Sequence, residues 1–165
     1  MLDVEQARAR CAAAIDLALK AGADAADAVA IGSSSEEVQV RLGKLEDVGR
    51  SESEEIGLRV FAGKRSASIH ATDMSDAALA ELATRAVAMA KAAPEDEYAG
   101  LAPQDLLAQA PFPDLELEDP DEPSPSDLRR LAEEAEDAAR AVKGVTNSEG
   151  GGASFGRSSV ALVTS

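Results

Sequence analysis

Side chains that bind metals or catalyse reactions are scarce in this chain of 165 residues. There is one histidine, His70, and one cysteine, Cys11, and neither an HExxH nor a CxxC motif occurs. A catalytic zinc ion usually needs three protein ligands, which His, Cys and carboxylate side chains supply. A lone cysteine cannot form an internal disulfide. Because Cys11 falls in a predicted helix, we interpret it as a small apolar core residue. The sequence therefore predicts no metal site, no cofactor and no catalytic residue within this chain.

Aromatic and basic residues are also few. Tryptophan is absent, one Tyr and three Phe occur, and 16 Lys and Arg stand against 31 Asp and Glu, for a net charge of −15. Binding to phosphate backbones depends on Lys and Arg, so this charge argues against direct contact with nucleic acid. No apolar run reaches the roughly 18 residues of a membrane span. The start MLDVEQARAR lacks the basic and apolar blocks of a signal peptide. We therefore expect a cytoplasmic protein without direct membrane contact.

Small aliphatic residues, above all alanine, recur with helical spacing in three segments of the chain. The spacing predicts helices over 3–21, over 76–92 and from Pro125 to about 143. Asp3, Ser75 and Ser124 are the expected N-caps, because each can accept a hydrogen bond from a free amide of the first turn. The third helix is expected to bury a stripe that consists of Leu128, Leu131, Ala135, Ala138, Ala139 and Val142.

Alternation of apolar and polar residues predicts antiparallel strands between the first two helices and at the end of the chain. The expected strands cover 27–31, 38–42, 45–53, 55–61, 66–71, 145–148 and 158–164. We expect turns at Gly43-Lys44 and at the glycine-rich stretch GGGASFG, which no lysine follows as in a phosphate-binding loop. Because helices and hairpin strands are segregated, the predicted fold is α+β, an antiparallel meander packed with about three helices. The last strand has no terminal turn signal, so we expect the natural protein to continue.

A cluster of basic and aromatic residues falls on one predicted hairpin, EEIGLRVFAGKRSASIH. The alternation places them on or beside its polar face, where they form a basic patch with an exposed aromatic ring. Two interpretations stay open: a solvated face that balances nearby glutamates, or a contact surface for a peptide or a partner subunit. The residues of this predicted contact surface are Arg59, Phe61, Lys64, Arg65 and His70.

The residues beside His70 on the same predicted strand bear on whether it could act in catalysis. Ser66, Ser68 and His70 alternate on one face, but neighbours at i and i+2 lie about 7 Å apart and point outward in parallel. That geometry does not form a nucleophile–base hydrogen bond, so it argues against a serine hydrolase triad. A metal-free hydrolase with His70 as general base remains an alternative, although we expect a surface or interface residue.

A long acidic connection joins the second and third predicted helices. Residues 94–123 contain ten Asp or Glu and no Lys or Arg, and all seven prolines fall within 94–125. We expect an irregular crossover inside a single domain of residues 1–165. Apolar residues spaced along it, from Leu101 to Leu117, predict that it packs against the fold. A second interpretation of function rests here: a self-contained acidic module that docks a basic partner.

The order of these motifs resembles the amino-terminal domain of the TldD/PmbA family. The resemblance is carried by VRLGKLEDVGRSESEEIGLRVFAGKR, by the helix start TDMSDAAL and by EDEYAGLAP after that helix. The last segment is more similar to the PmbA (TldE) branch than to the TldD branch. The similarity covers residues 20–110 well and is weaker beyond them.

The resemblance implies a function that composition and spacing do not. Family members form a TldD–TldE heterodimer, a cytosolic metallopeptidase that acts on unfolded or small peptides, matures peptide antibiotics and carries the older label of gyrase modulator. The HExxxH metal motif belongs to the TldD subunit, and nothing in this chain matches it. We therefore expect a non-catalytic subunit domain that contributes to assembly and peptide handling. Its expected partner is a TldD-like subunit, which would hold the zinc, or a second copy in a homodimer.

Overall fold

A computed structural model describes residues 2–165, and it has the predicted α+β architecture. The helices are α1 (Val4–Lys20), α2 (Asp76–Ala92) and α3 (Pro125–Arg140). The strands are β1 (Ala25–Arg41), β2 (Lys44–Ala62), β3 (Arg65–Ala71) and β4 (Gly151–Thr164). They form one sheet in the order β3-β2-β1-β4. No helix among the described residues is long and apolar enough to cross a membrane.

Each helix begins where its capping residue predicts. Asp3 and Ser124 each complete a capping box, with Gln6 and Asp127 respectively as the third helical residue, and the Ser75 hydroxyl accepts from Ala78 N. These side chains satisfy amides that have no partner within the first helical turn. The local sequence therefore sets all three helix starts.

The chain divides into two compact units, and the first contains α1, α2 and β3. It consists of residues up to Gly32, Ser53–Phe112 and Ser158–Ser165. Its core cluster is made mainly of alanine, with Ile56, Leu58 and Leu79 among its largest fully buried side chains. Small residues bring helices and sheet close together, so this core is dense without aromatic rings. Cys11 belongs to it, fully buried as predicted, and burial raises the pKa of its thiol.

The second unit consists of Ser33–Glu52 and Pro113–Arg157, and its apolar core is small. Its cluster of buried residues is Val38, Val40, Leu128 and Ala132, against which Ala153 and Phe155 pack. One buried side chain is charged: Glu136 of α3 is only 1% exposed. This unit therefore depends on few apolar contacts and on one buried carboxylate.

Three of the strands, β1, β2 and β4, are longer than the local pattern indicates. β1 continues through Gly32 and the serines after it, and β2 runs without interruption from Lys44 to Ala62. The stretch GGGASFG is not a turn, since β4 begins at Gly151, and residues 145–148 form no strand. A Cβ atom at Gly151 would lie 2.3 Å from the carbonyl oxygen of Ala132, so the glycine allows strand and helix to approach.

The predicted turn and the predicted stripe of α3 also need correction. The turn is Leu42-Gly43 rather than Gly43-Lys44, and Leu42 is half exposed. Leu128 is buried, but the other predicted residues are exposed: Leu131, Ala135, Ala138 and Ala139 of α3, and Val142 beyond its end. The buried residues recur every fourth position as Leu128, Ala132 and Glu136. An apolar criterion alone could not select a face that includes a buried glutamate.

The acidic connection is irregular, as predicted, apart from one short 3-10 turn at Gln104–Leu106. Its apolar side chains do not all pack against the fold. Leu101 and Leu107 are half-buried, whereas Leu106, Phe112, Leu115 and Leu117 are exposed. The prediction that the apolar residues of this segment pack against the fold is therefore wrong for these four residues.

Candidate contact surface

The register of β2 with β3 places three of the five predicted surface residues on one face of the sheet. Gly57 pairs with His70, Arg59 with Ser68 and Phe61 with Ser66 in the antiparallel ladder. The alternate residues Ile56, Leu58 and Val60 are buried in the core. Because successive side chains of a strand point to opposite faces, Arg59, Phe61 and His70 share the face away from that core.

Arg59 is held by a neighbouring carboxylate. Its Nε donates to Asp27 Oδ1 at 3.0 Å and its Nη2 donates to Asp27 Oδ2, so the contact is bidentate. The hydrogen bond to Asp27 raises the pKa of Arg59. The guanidinium also lies 5.2 Å from the centre of the Phe61 ring. The Arg59 side chain is half exposed, but Asp27 of β1 already neutralises its charge.

Phe61 is not the exposed aromatic that the alternation predicts. Its side chain is 4% exposed, although it lies on the predicted face. The Arg59 guanidinium over its ring is one group that covers it, in an arrangement typical of cation–π contacts. Strand alternation correctly predicts the direction of a side chain but cannot show whether another group covers it.

Arg65 and Lys64 lie at the other end of β3. Arg65 Nη1 donates to the carbonyl of Lys91 at 3.1 Å, and Nη2 pairs with Glu95 at 3.2 Å. Lys64 lines an open hollow with Glu95, Asp96, Glu97 and Tyr98. From Arg65 to His70 the strand rises about 17 Å. The five predicted residues therefore do not form one continuous cationic patch.

His70 is exposed, as predicted, and lies at the rim of a separate hollow. This hollow has a volume of about 290 Å³ and is lined by Val29, Ile31, Glu55, Gly57 and His70. Gly57 is one of these residues, and a Cβ atom there would lie 3.3 Å from Val29 Cγ1. Ligand pockets usually measure about 300–1,000 Å³. At about 290 Å³ the hollow lies just below this range, and an imidazole and a carboxylate are among the groups that line it.

The sequence did not identify the residues of β1 that complete this surface. In the sequence they only form part of a short apolar strand, as Asp27, Val29 and Ile31. Their role depends on which residues of β2 lie beside them, and pairing between distant segments has no local signal. An aspartate within an apolar strand was the one available indication that a cation would lie nearby.

Metal ligands do not converge on this surface. Within residues 2–165, no three His, Cys, Asp or Glu side chains are grouped so that they could hold a metal ion. Cys11 is buried in the core and donates to the carbonyl of Ala161, whereas His70 is exposed on the opposite face of the sheet. The donor set of residues 2–165 therefore does not fit a zinc centre.

Comparison with known proteins identifies relatives over most of the chain. Residues 26–90 match the family described as PmbA/TldA metallopeptidase domain 1. Metalloprotease PmbA of Escherichia coli is 38% identical over 115 residues, which are 69% of this chain and 25% of that protein. The Metalloprotease PmbA homolog of Haemophilus influenzae is 35% identical over 138 residues, 83% of this chain and 30% of that protein. The chain thus spans between a quarter and a third of these relatives.

Solved structures show the same fold at lower sequence identity. A protein from Bacteroides thetaiotaomicron, described as a modulator of DNA gyrase, superposes with a TM-score of 0.83 at 20% identity. That match covers 99% of this chain and 37% of the other. TldE from Thermococcus kodakarensis gives a TM-score of 0.71 at 20% identity, over 92% of this chain and 34% of the other. The sequence matches show that the chain belongs to the TldD/PmbA family, with residues 26–90 corresponding to its first domain, and the solved structures show the same fold.

Proposed function

We propose that this chain is a non-catalytic domain of a TldD/TldE-type metallopeptidase complex. The observation that carries the proposal is the 38% identity to Metalloprotease PmbA over 115 residues. The structural similarity to TldE favours the PmbA branch, and the scattered donors of this chain agree with a metal that a partner subunit would hold. In this proposal the complex acts in the cytoplasm on unfolded or small peptides, and its partner is a TldD-like subunit or a second copy.

The hollow beside His70 is the part of the chain that we assign to peptide handling. Val29 and Ile31 offer an apolar surface to a peptide side chain, while Glu55 and His70 offer polar contacts. Lys64 is a further contact in this proposal because it is exposed beside Tyr98. Arg59 and Arg65 would act indirectly, since each already binds a carboxylate of this chain.

The test combines this protein with a TldD-type subunit and measures cleavage of an unstructured peptide. We expect cleavage to be several-fold faster with this protein than with the TldD-type subunit alone. Zinc content is measured in parallel, and we expect the metal only in samples that contain the partner. Equal cleavage with and without this protein, or stoichiometric zinc in the isolated chain together with turnover, would contradict the proposal.

Two single variants test the peptide surface itself. His70→Glu changes the charge at the hollow, so we expect it to slow complex-dependent cleavage several-fold. Ser68→Glu is the matched control, because Ser68 is exposed on the same face of β3 but does not line the hollow. His70→Ala tests a general base: complete loss of cleavage in this variant would favour that alternative over a contact role. Equal effects of the two glutamate substitutions would argue against a contact at the hollow.

A second candidate function is an acidic module that docks a basic partner. It is favoured by Leu115 and Leu117, which are 65% and 87% exposed within an acidic stretch. Binding of a basic amphipathic peptide, measured by anisotropy, should weaken in Leu115→Ser and Leu117→Ser if this function exists. Binding that is unchanged in both variants, or that also occurs with an apolar peptide lacking basic residues, would exclude it.

A further inference from the structure

The turn between β1 and β2 has an unusual residue at its first position. Leu42 has φ +52° and Gly43 has φ +71°, so both residues of the two-residue turn are in the left-handed region. Turns of this kind favour Asn or Asp followed by Gly, because a side chain such as leucine disfavours a positive φ. Some other group must therefore hold Leu42 in this conformation.

Glu136 is that group. Its Oε1 accepts a hydrogen bond from Leu42 N at 2.7 Å, and its Oε2 accepts one from Gly43 N at 2.9 Å. The residue is only 1% exposed, although buried glutamates are rare unless they are paired. Each oxygen thus binds one turn amide, and together they fix the turn to α3 across 93 and 94 residues of sequence.

The other groups around Glu136 favour its charged form. The Ser148 hydroxyl, in the segment after α3, donates to it, and Arg140 of the same helix attracts it. From β4, Gly151 lies against it, where a Cβ atom would be 3.2 Å from Glu136 Cβ. Hydrogen bonding from Gly43 lowers the pKa of Glu136, against the opposing effect of burial.

We propose that Glu136 is an acid-sensitive latch that holds the tip of the β1–β2 hairpin in one conformation. The ionised carboxylate accepts from both turn amides. When it gains a proton, one oxygen becomes an O–H donor and accepts poorly, so one of the two amides loses its partner. The turn, which leucine disfavours, is then free to relax.

The direction of the pH effect follows from the lowered pKa. A carboxyl group whose folded pKa lies below its unfolded value contributes stability above the unfolded pKa, and this contribution disappears as pH falls through the folded pKa. The hairpin tip is therefore held at neutral pH and released only in acid, below the ordinary glutamate value of about 4.3.

A pH titration of the unaltered 165-residue chain by NMR tests the latch without any substitution. The amide protons of Leu42 and Gly43 and the side-chain carboxyl carbon of Glu136 are followed from neutral pH into acid. We expect the three signals to share one midpoint that lies below about 4.3. Turn amides that do not titrate with Glu136, or a shared midpoint at or above that value, would overturn the proposal.

A substitution supplies the second test, with a control in the same helix. Glu136→Gln retains the size of the side chain but leaves a single acceptor oxygen. We expect hydrogen exchange of the Leu42 and Gly43 amides to become about tenfold faster at neutral pH, because a buried donor loses a charged acceptor. Glu134→Gln, on an exposed residue that pairs with Arg130, should leave both amides unchanged. Equal exchange in the two variants would contradict the latch.

A double variant separates a latch from a general packing effect. Leu42→Asn places a residue that tolerates positive φ in the turn, so the turn needs less support from Glu136. We expect Leu42→Asn to restore much of the protection that Glu136→Gln removes, and to change little in the unaltered chain. Equal effects in both backgrounds would show that the two residues are not coupled. If Glu136→Gln does not fold, the titration of the unaltered chain still decides the question.

Discussion

The two compact units of this chain are stabilised in different ways. The first buries a cluster of nineteen residues, most of them small, between two helices and the sheet. The second buries a cluster of four and adds a carboxylate that binds two backbone amides. Hydrophobic burial is roughly proportional to area and has no direction, whereas hydrogen bonds require particular partners. We therefore expect the first unit to tolerate single polar changes and the second to depend on a few specific contacts.

The largest expected effect comes from truncating a core leucine in each unit. Leu58→Ala in the first unit and Leu128→Ala in the second remove side chains that are 1% and 2% exposed. Each should lower the free energy of unfolding of its unit by about 2–5 kcal/mol. Native-state hydrogen exchange measures this unit by unit, with Leu131→Ala, 45% exposed, as the control. If Leu128→Ala weakened protection in α1 as strongly as around the hairpin, the two units would not be independently stabilised.

The close approach of α3 and β4 gives the next largest effect. Gly151→Ala would place a methyl group 2.3 Å from a backbone oxygen of Ala132, so strand or helix must move. We expect a loss of about 1–3 kcal/mol in the second unit, as is usual for overpacking. Gly152→Ala is the matched control, since its methyl group would lie 3.9 Å from Val38 O. Urea unfolding of both variants measures the difference, and equal midpoints would refute the tight contact.

A smaller effect is expected from the ion pair beside β1. Asp27 is 13% exposed at its side chain and binds Arg59 with both oxygens. Asp27→Asn should cost about 1 kcal/mol in the first unit, because a bidentate charged hydrogen bond becomes a neutral one. Glu52→Gln alters an exposed pair with Arg50 in the second unit and should have no measurable effect. Thermal unfolding of the two variants compares a covered pair with an exposed one.

The smallest expected effect concerns the contact of Arg157 with Phe155. The guanidinium lies 5.7 Å from the ring centre and also pairs with Glu122. Arg157→Gln should cost about 0.5 kcal/mol in the second unit, the order expected for a partly exposed cation–π contact. Arg85→Gln, on an exposed helical pair with Glu81, serves as the control. A cost equal to that of Asp27→Asn would show that the second unit depends on this contact more than its exposure indicates.

Local signals predicted where each helix of this chain begins. Asp3, Ser75 and Ser124 precede them as the expected N-caps, and the buried residues of α1 and α2 recur with helical spacing. Capping and periodicity act within a few residues of sequence, so a single sequence contains them. Strand lengths were predicted less well, because the backbone partners of a strand lie far away along the chain.

The sequence predicted to which face the side chains of β2 and β3 point, but not which other groups cover or neutralise them. His70 is exposed as alternation requires, but Phe61, on the same face, is covered. Arg59 and Arg65 look like free cations in the sequence, whereas Asp27 and Glu95 neutralise them. A contact role for the five predicted residues stays a prediction.

Composition and local pattern by themselves determined that this chain folds as α+β, where its helices begin and which family it resembles. Sequence was sufficient for these features because caps, periodicity and motifs each depend on residues that are close together along the chain. Tertiary structure alone decided that Glu136 is buried, that Leu42 forms a left-handed turn and that Asp27 holds Arg59. The hydrogen bonds involved join segments that are at least 32 residues apart in sequence. The two partners of each bond become neighbours only in the folded chain, so the sequence around either partner does not predict the bond.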